Sequence, residues 1–225
     1  MKSRIFILFS IIFISELFAV FLSFGWLEYI TKPLIMLLLG AHYVISVKGH
    51  DSGISKPVLV AIVFSWLGDV ALLFQKFEPI FFMLGLGSFL IAHIGYILAY
   101  NQHRSAQHGT ELLGVQKFRF ALPIVLAGTG LITVLYPHLG ELRIPVSVYA
   151  LVLVVMVLKA LFRFGFTNAK SFWLVFIGAL LFMVSDSLIA INKFLSGFDA
   201  AGLAIMSTYM VAQFLLIKGL LLHER

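Results

Sequence analysis

Residues 172–192 read FWLVFIGALLFMVSDSLIAIN, an unbroken apolar run with a single acid, Asp186, set among it. A run of about 20 apolar residues matches a helix that crosses the ~30 Å hydrocarbon core of a bilayer. Within lipid each backbone N–H and C=O has to find its partner inside the protein, so a lone segment of this kind is helical. A barrel strand would instead alternate apolar and polar positions, and this run does not.

Working outward from it, seven more runs of the same character lie at about 4–24, 30–47, 57–74, 79–100, 118–137, 143–163 and 199–222. The chain has 225 residues, 61% of them hydrophobic and 12% charged, with a mean hydropathy of +1.07. A soluble domain carries about 25% charged residues, too many for this chain to match. Eight spans of roughly 20 residues leave only short loops. The expected fold is therefore all-α: one transmembrane domain over residues 1–225 with about eight helices, an integral multi-pass membrane protein, in the inner or plasma membrane if the source is bacterial. Met1-Lys2-Ser3-Arg4 and the apolar run behind it resemble a signal peptide. That run continues from Ile5 to about Phe24 without an Ala-x-Ala site, so it reads as an uncleaved first span. The absence of Cys excludes disulfides, thiolate metal sites and cysteine nucleophiles.

The formal charge of +6 is read as loop topology rather than as a nucleic-acid surface. Lys2, Arg4, Lys48, Lys56, Arg104, Lys117, Arg119, Arg163, Lys170, Lys218 and Arg225 fall on one side of the membrane. Only Lys32, Lys76, Arg143 and Lys193 fall on the other, and Lys159 lies inside span six. Positive charge stays on the cytoplasmic side, which predicts both termini in the cytoplasm and an even number of helices.

Spans three and seven echo each other. Phe64-Ser65-Trp66-Leu67-Gly68-Asp69 and Leu181-Phe182-Met183-Val184-Ser185-Asp186 each place a small residue before Asp, and the two acids are 117 residues apart. The same offset carries Lys32 to Tyr149 and Tyr96 to Gln213. Four helices between copies would make the halves a parallel 4+4 repeat; chance likeness between apolar segments is the alternative.

An ionisable side chain costs at least about 2.5 kcal/mol at the centre of a span and so usually marks a site facing the bundle interior. Glu16, Asp69, His93 and Asp186 stand well inside spans, with His42, Tyr96, Tyr149, Asn192, Tyr209 and Gln213 as polar neighbours. At 1.5 Å per residue, Asp69 and Asp186 lie roughly 8–9 Å below the outer hydrocarbon edge, with Glu16 at similar depth. Lys32, Asn192 and Lys193 are near the outer rim. A pocket so built has an acidic floor and a basic mouth, which suits a lipid whose phosphate stays at the interface. Read blandly, His42 is a satisfied bundle histidine, and Tyr149 and Tyr209 bond between helices.

Several motifs, in order along the chain, resemble the YhhN-like family of membrane proteins: Thr31-Lys32-Pro33-Leu34, Phe64-Ser65-x-x-Gly68-Asp69, Ala92-His93-x-x-Tyr96, Gly178-Ala179-x-x-Phe182-x-x-Ser185-Asp186-x-x-x-Ala190 and Tyr209-x-x-Ala212-Gln213. Members of that family are lysoplasmalogenases, which cleave the vinyl ether bond of lysoplasmalogens to a fatty aldehyde and a glycerophospho-choline or -ethanolamine. The resemblance implies that Asp69 and Asp186 are catalytic and that Lys32, His93, Tyr96, Tyr149, Tyr209 and Gln213 line the pocket. Asn192 and Glu16 fall outside the matched motifs and are pocket residues by depth alone. The substrate would be a lysophospholipid with water, in contact with bilayer lipids. Neither a cofactor, a metal, a nucleic acid nor an obligate protein partner is implied.

The chemistry suits the residues. A vinyl ether yields to acid: protonation of its outer alkene carbon gives an oxocarbenium ion, which water captures as a hemiacetal that collapses to aldehyde. Two carboxyls in a low-dielectric cavity can divide the labour, since ionisation of one opposes ionisation of the other. Glycosidases use a similar pair around an oxocarbenium-like transition state. Three other readings stay open. Buried acids in related halves also describe a proton-coupled carrier, although Pro33, Pro123 and Pro145 are expected near span ends rather than breaking matched helices. A zinc-dependent lipid hydrolase needs three protein ligands, while only His42 and His93 lie within spans. A non-enzymatic lipid-binding protein is the third alternative.

Overall fold

A computed structural model describes residues 3–48, 53–104 and 111–223. Lys2 and Arg225, which entered the charge count, lie outside the described residues. Eight α-helices follow one another: α1 (Ser3–Phe21), α2 (Gly25–Val47), α3 (Lys56–Leu73), α4 (Ile80–Gln102), α5 (Gly114–Leu135), α6 (Arg143–Leu161), α7 (Ala169–Phe194) and α8 (Ala201–His223). Two 3-10 turns, Tyr136–His138 and Gly140–Leu142, link α5 to α6, and no strand occurs among the described residues. Seven helices, α2 to α8, are long and apolar enough to cross a membrane. The apolar stretch of α1, Ile7–Phe21, reaches about 22 Å at 1.5 Å per residue.

The helices sit where hydropathy places them, but α2, α5 and α7 begin about a turn earlier. Helix α2 starts at Gly25 and α5 at Gly114, because polar and interfacial residues such as Trp26, Glu28, Gln116 and Lys117 continue a helix as readily as apolar ones. Ser23, with φ 57, makes the tight turn between α1 and α2. One expectation is thereby corrected: Pro33 and Pro123 lie inside α2 and α5, not near their ends. Each removes one backbone donor from its helix.

The chain forms two compact units, one up to Ala99 and the other from Tyr100 to His223, with the boundary inside α4. In the first, α1 packs on α2 and α2 on α3; in the second, α5 packs on α6, α6 on α7, and α7 most extensively on α8. Both units expose apolar side chains and bury a minority of polar ones within an apolar core. On α1 the outward stripe is Ile7, Ile11, Ile14 and Phe18, while Glu16 is fully buried. On α6 Ile144, Val148 and Leu151 are exposed while Tyr149 is covered. In water such stripes would mark a binding patch; around a bundle of spans they are the face that meets lipid.

Small residues let the helices approach closely, as they do in membrane bundles. A Cβ added to Gly95 on α4 would stand 2.9 Å from the backbone nitrogen of Ala61 and 3.0 Å from the carbonyl oxygen of Pro57, both on α3. A Cβ at Gly219 on α8 would stand 2.7 Å from Val175 Cγ2 and 3.0 Å from the Val175 nitrogen on α7. Backbone atoms cannot turn aside, so Gly95→Ala is expected to cost about 1–3 kcal/mol in unfolding from detergent micelles. Gly87→Ala on the same helix, with nothing within 4 Å, is expected to cost nothing; equal losses would show that close α3–α4 contact is not what Gly95 provides.

Candidate active site

In the first unit, Asp69 lies on α3 and is 1% exposed, one turn after the fully buried Ser65. Gly68, the residue before it, leaves room for the Phe89 ring of α4, whose Cε2 would lie 2.6 Å from a Cβ there. His93 and Tyr96, one turn apart on α4, are both fully buried. The indole Nε1 of Trp66, close to Asp69 along α3, is buried with no hydrogen-bond acceptor among the described residues. Deeper in sequence toward the N-terminus, the Thr31 hydroxyl donates to Glu16 Oε2 while lying 2.9 Å from the Leu27 carbonyl. The second carboxyl oxygen of Glu16 has no hydrogen-bond partner among the described residues. Lys32, next to Thr31 and half-buried, is one of the charges that act on Glu16. His42 shares a hydrogen bond with Ser46 Oγ at 3.2 Å, in keeping with a bundle histidine.

In the second unit, α7 carries Asp186 and α6 carries its partner: the Tyr149 hydroxyl donates to Asp186 Oδ2 at 2.5 Å. Both side chains are buried. One turn before Asp186 on α7, Phe182 meets the Tyr209 ring of α8 edge-on, with centroids 5.5 Å apart. Gln213 Nε2, one turn further on α8, donates to the Tyr209 hydroxyl at 3.3 Å. Ser185, beside Asp186, donates to the Ile205 carbonyl at 3.1 Å, tying α7 to α8 at that level. Asn192 and Lys193, by contrast, are exposed in the last turns of α7. The structure thus gathers Tyr149 with Asp186, Tyr209 with Gln213, and Glu16 with Thr31 beside Lys32. It does not gather Asn192 into the surroundings of Asp186.

One polar cluster was not anticipated. Arg163, counted in the charge tally as a loop cation, is fully buried. It donates to the His103 carbonyl and to Ser171 Oγ. His103, expected in a loop, is buried and meets the His223 ring edge-on at 5.5 Å. Burial draws the Arg163 guanidinium down to about 10, with Tyr100 opposing and the Arg104 charge adding to the shift, so it stays charged at neutral pH. Hydropathy alone has no signal for this, because only the fold brings the end of α4 to the turn after α6.

These features define a class: a helical multi-pass membrane protein whose spans bury carboxyl groups among tyrosine and histidine. Residues 27–220 match the YhhN family, and the chain belongs to that family. It is 31% identical over 194 residues to the human lysoplasmalogenase TMEM86B, covering 85% of this chain and 74% of that protein. To the lysoplasmalogenase TMEM86A of Bos taurus it is 31% identical over 200 residues, covering 85% and 77%. A lysoplasmalogenase of Mycobacterium bovis is 33% identical over 143 residues, 61% of this chain and 50% of the relative; the chain thus spans half the length of that mycobacterial protein. No solved structure matches the chain.

The Tyr149–Asp186 bond is open to direct measurement. A double-mutant cycle with Tyr149→Phe and Asp186→Ala, read as unfolding stability, is expected to give a coupling of about 1 kcal/mol. Additive losses would mean that the two side chains do not act on each other.

Proposed function

We propose that this protein is a hydrolase that cleaves the vinyl ether bond of lysoplasmalogens, with Asp69 and Asp186 as its catalytic carboxyls. The reading rests on the burial of one carboxyl on α3 and one on α7 in a chain whose relatives are named lysoplasmalogenases. A carboxylate that accepts a hydrogen bond is stabilised in its charged form. One of the two is the acid and the other the anion that stabilises the oxocarbenium ion; Asp186 accepts a hydrogen bond from Tyr149.

The reaction then runs as follows. The acid of the pair gives its proton to the outer alkene carbon, and the positive charge spreads over the inner carbon and the ether oxygen. Water adds to that carbon and loses a proton, which leaves the acid reprotonated. The hemiacetal breaks its bond to the glycerol oxygen as its hydroxyl proton passes to that oxygen, giving the fatty aldehyde and a glycerophospho-alcohol. Lys32 would hold the phosphate, with His93, Tyr96, Tyr209 and Gln213 placing the enol ether and the water; Glu16 would support Lys32 through Thr31. The rival readings gain nothing. Pro33 and Pro123 are internal but do not correspond under the 117-residue offset, and no group of three His, Asp or Glu suited to a metal occurs among the described residues.

The decisive assay offers purified protein a lysoplasmalogen and its saturated alkyl-ether analogue. Aldehyde is expected from the first only, with Asp69→Asn and Asp186→Asn each lowering the rate by at least about 10²-fold in protein that still extracts and folds. Full activity in either variant refutes the assignment.

We also propose that both termini are cytoplasmic and that the pocket opens to the outer leaflet. The chain has no cysteine, so single substitutions report their side. Lys76→Cys is expected to react with an impermeant maleimide in intact cells, and Lys170→Cys only after permeabilisation. The reverse pattern would invert the topology.

A further inference from the structure

The strongest polar feature outside the candidate active site is the Arg163 cluster. Ser171, in the first turn of α7, lies fifteen residues before Asp186, about 22 Å along the helix. Arg163 follows α6 in a turn closed by Gly165, whose φ of 81 suits glycine. Its Nε and Nη2 lie 3.4 and 3.3 Å from the His103 carbonyl oxygen, just past the end of α4. Nη2 is also 3.1 Å from Ser171 Oγ, and Ser171 Oγ passes its own proton to the Gly219 carbonyl at 2.7 Å. The guanidinium therefore touches the end of α4 and the start of α7, and reaches α8 through Ser171.

Half of this setting suits a cation and half does not. Carbonyls at a helix C-terminus attract positive charge, whereas the first turn of a helix carries a partial positive charge of its own. A second guanidinium acts on Arg163 with like sign: that of Arg104, which stacks on the Phe166 ring at 3.9 Å. No carboxylate among the described residues pairs with either arginine. Nη1 of Arg163 is buried and has no hydrogen-bond partner among the described residues. Lys170 adds a further positive charge in the first turn of α7.

We propose that a phosphate-type oxyanion binds between Arg163 and Arg104 at the first turn of α7. An oxyanion supplies what the two arginines lack, an acceptor for Nη1 and a countercharge between two guanidinium groups, beside a helix N-terminus that Asn168 already caps through the Ser171 N–H. Guanidinium is the side chain whose planar donors best match phosphate oxygens. The anion enters from the Arg104 side, because Arg104 is exposed while Arg163 is covered. The end of a span is the level at which a bilayer presents lipid phosphates, and free phosphate shares the chemistry. The site is separate from the hydrolytic reading and stands without it.

The test measures the unfolding midpoint of the full chain in maltoside detergent. One arm compares inorganic phosphate with chloride at equal ionic strength. The other compares dioctanoyl phosphatidylglycerol with dioctanoylglycerol, its phosphate-free counterpart. A rise of about 5 °C is expected in at least one arm. A rise with free phosphate assigns a soluble anion, and a rise with the phospholipid alone assigns a lipid headgroup. Arg104→Ala, at an exposed position, and Arg163→Lys, which keeps the charge but loses the fork, should each abolish the rise. No rise in either arm, or an equal rise in both variants, overturns the proposal.

Discussion

Hydrocarbon offers a polar group nothing to bond to, and the rest of this structure follows from that constraint. Every donor and acceptor within a span has to be answered by another part of the protein. Thr129 and Thr133 on α5 answer it locally, each hydroxyl bonding to the carbonyl one turn back. Ser185, Tyr149 and Thr31 answer it across helices, binding the Ile205 carbonyl, Asp186 and Glu16. Each cross-helix bond fixes how two helices sit against one another at one level. A carboxyl held in this way is also pre-organised, so what satisfies the bilayer is of use to a catalyst as well.

The second constraint is packing without a hydrophobic drive, since lipid tails are as apolar as leucine. Close approach at small residues takes its place, and it bears on the suspected repeat. The 117-residue offset that joins Asp69 to Asp186 also joins Ala61 to Gly178 and Gly95 to Ala212. In the first unit Gly95 lies against the backbone of Ala61; in the second a Cβ on Gly178 would stand 3.1 Å from the Ala212 carbonyl oxygen. One contact, between the third and fourth helices of each set, thus recurs with its glycine and alanine exchanged.

Much of this was legible in the amino-acid order, for one reason: polar residues are so rare in the spans that each is conspicuous. Asp69 and Asp186 stand out by the cost of placing an acid in lipid, and both are buried. Tyr149 was legible only as a polar residue; that it reaches Asp186 depends on how α6 leans on α7, which hydropathy does not encode. Pro33 was misplaced because hydropathy ends a span where the apolar residues end, while the backbone of α2 continues through Trp26 and Glu28. Arg163 was hidden by the same logic. A cation just beyond an apolar run reads as solvated, and nothing local to it reveals that His103 and Ser171 will close over it. Asn192 was read from its depth along the chain alone, and it is exposed in the last turns of α7.

The proposed reaction makes two demands on these carboxyls that pull against each other. The acid has to keep its proton near neutral pH, which favours exclusion of water, yet each turnover consumes one water. Two carboxyls in unequal surroundings reconcile the demands better than two alike. Asp69 is almost wholly covered and Asp186 somewhat less so, and Asp186 has a phenol donor in place on α6. A neutral donor there steadies a carboxylate without adding a positive charge that would repel the oxocarbenium ion. A lysine in the place of Tyr149 would hold the anion more firmly and cancel the field that the cationic intermediate needs. On this argument a neutral donor at residue 149 serves the pair better than a cation would.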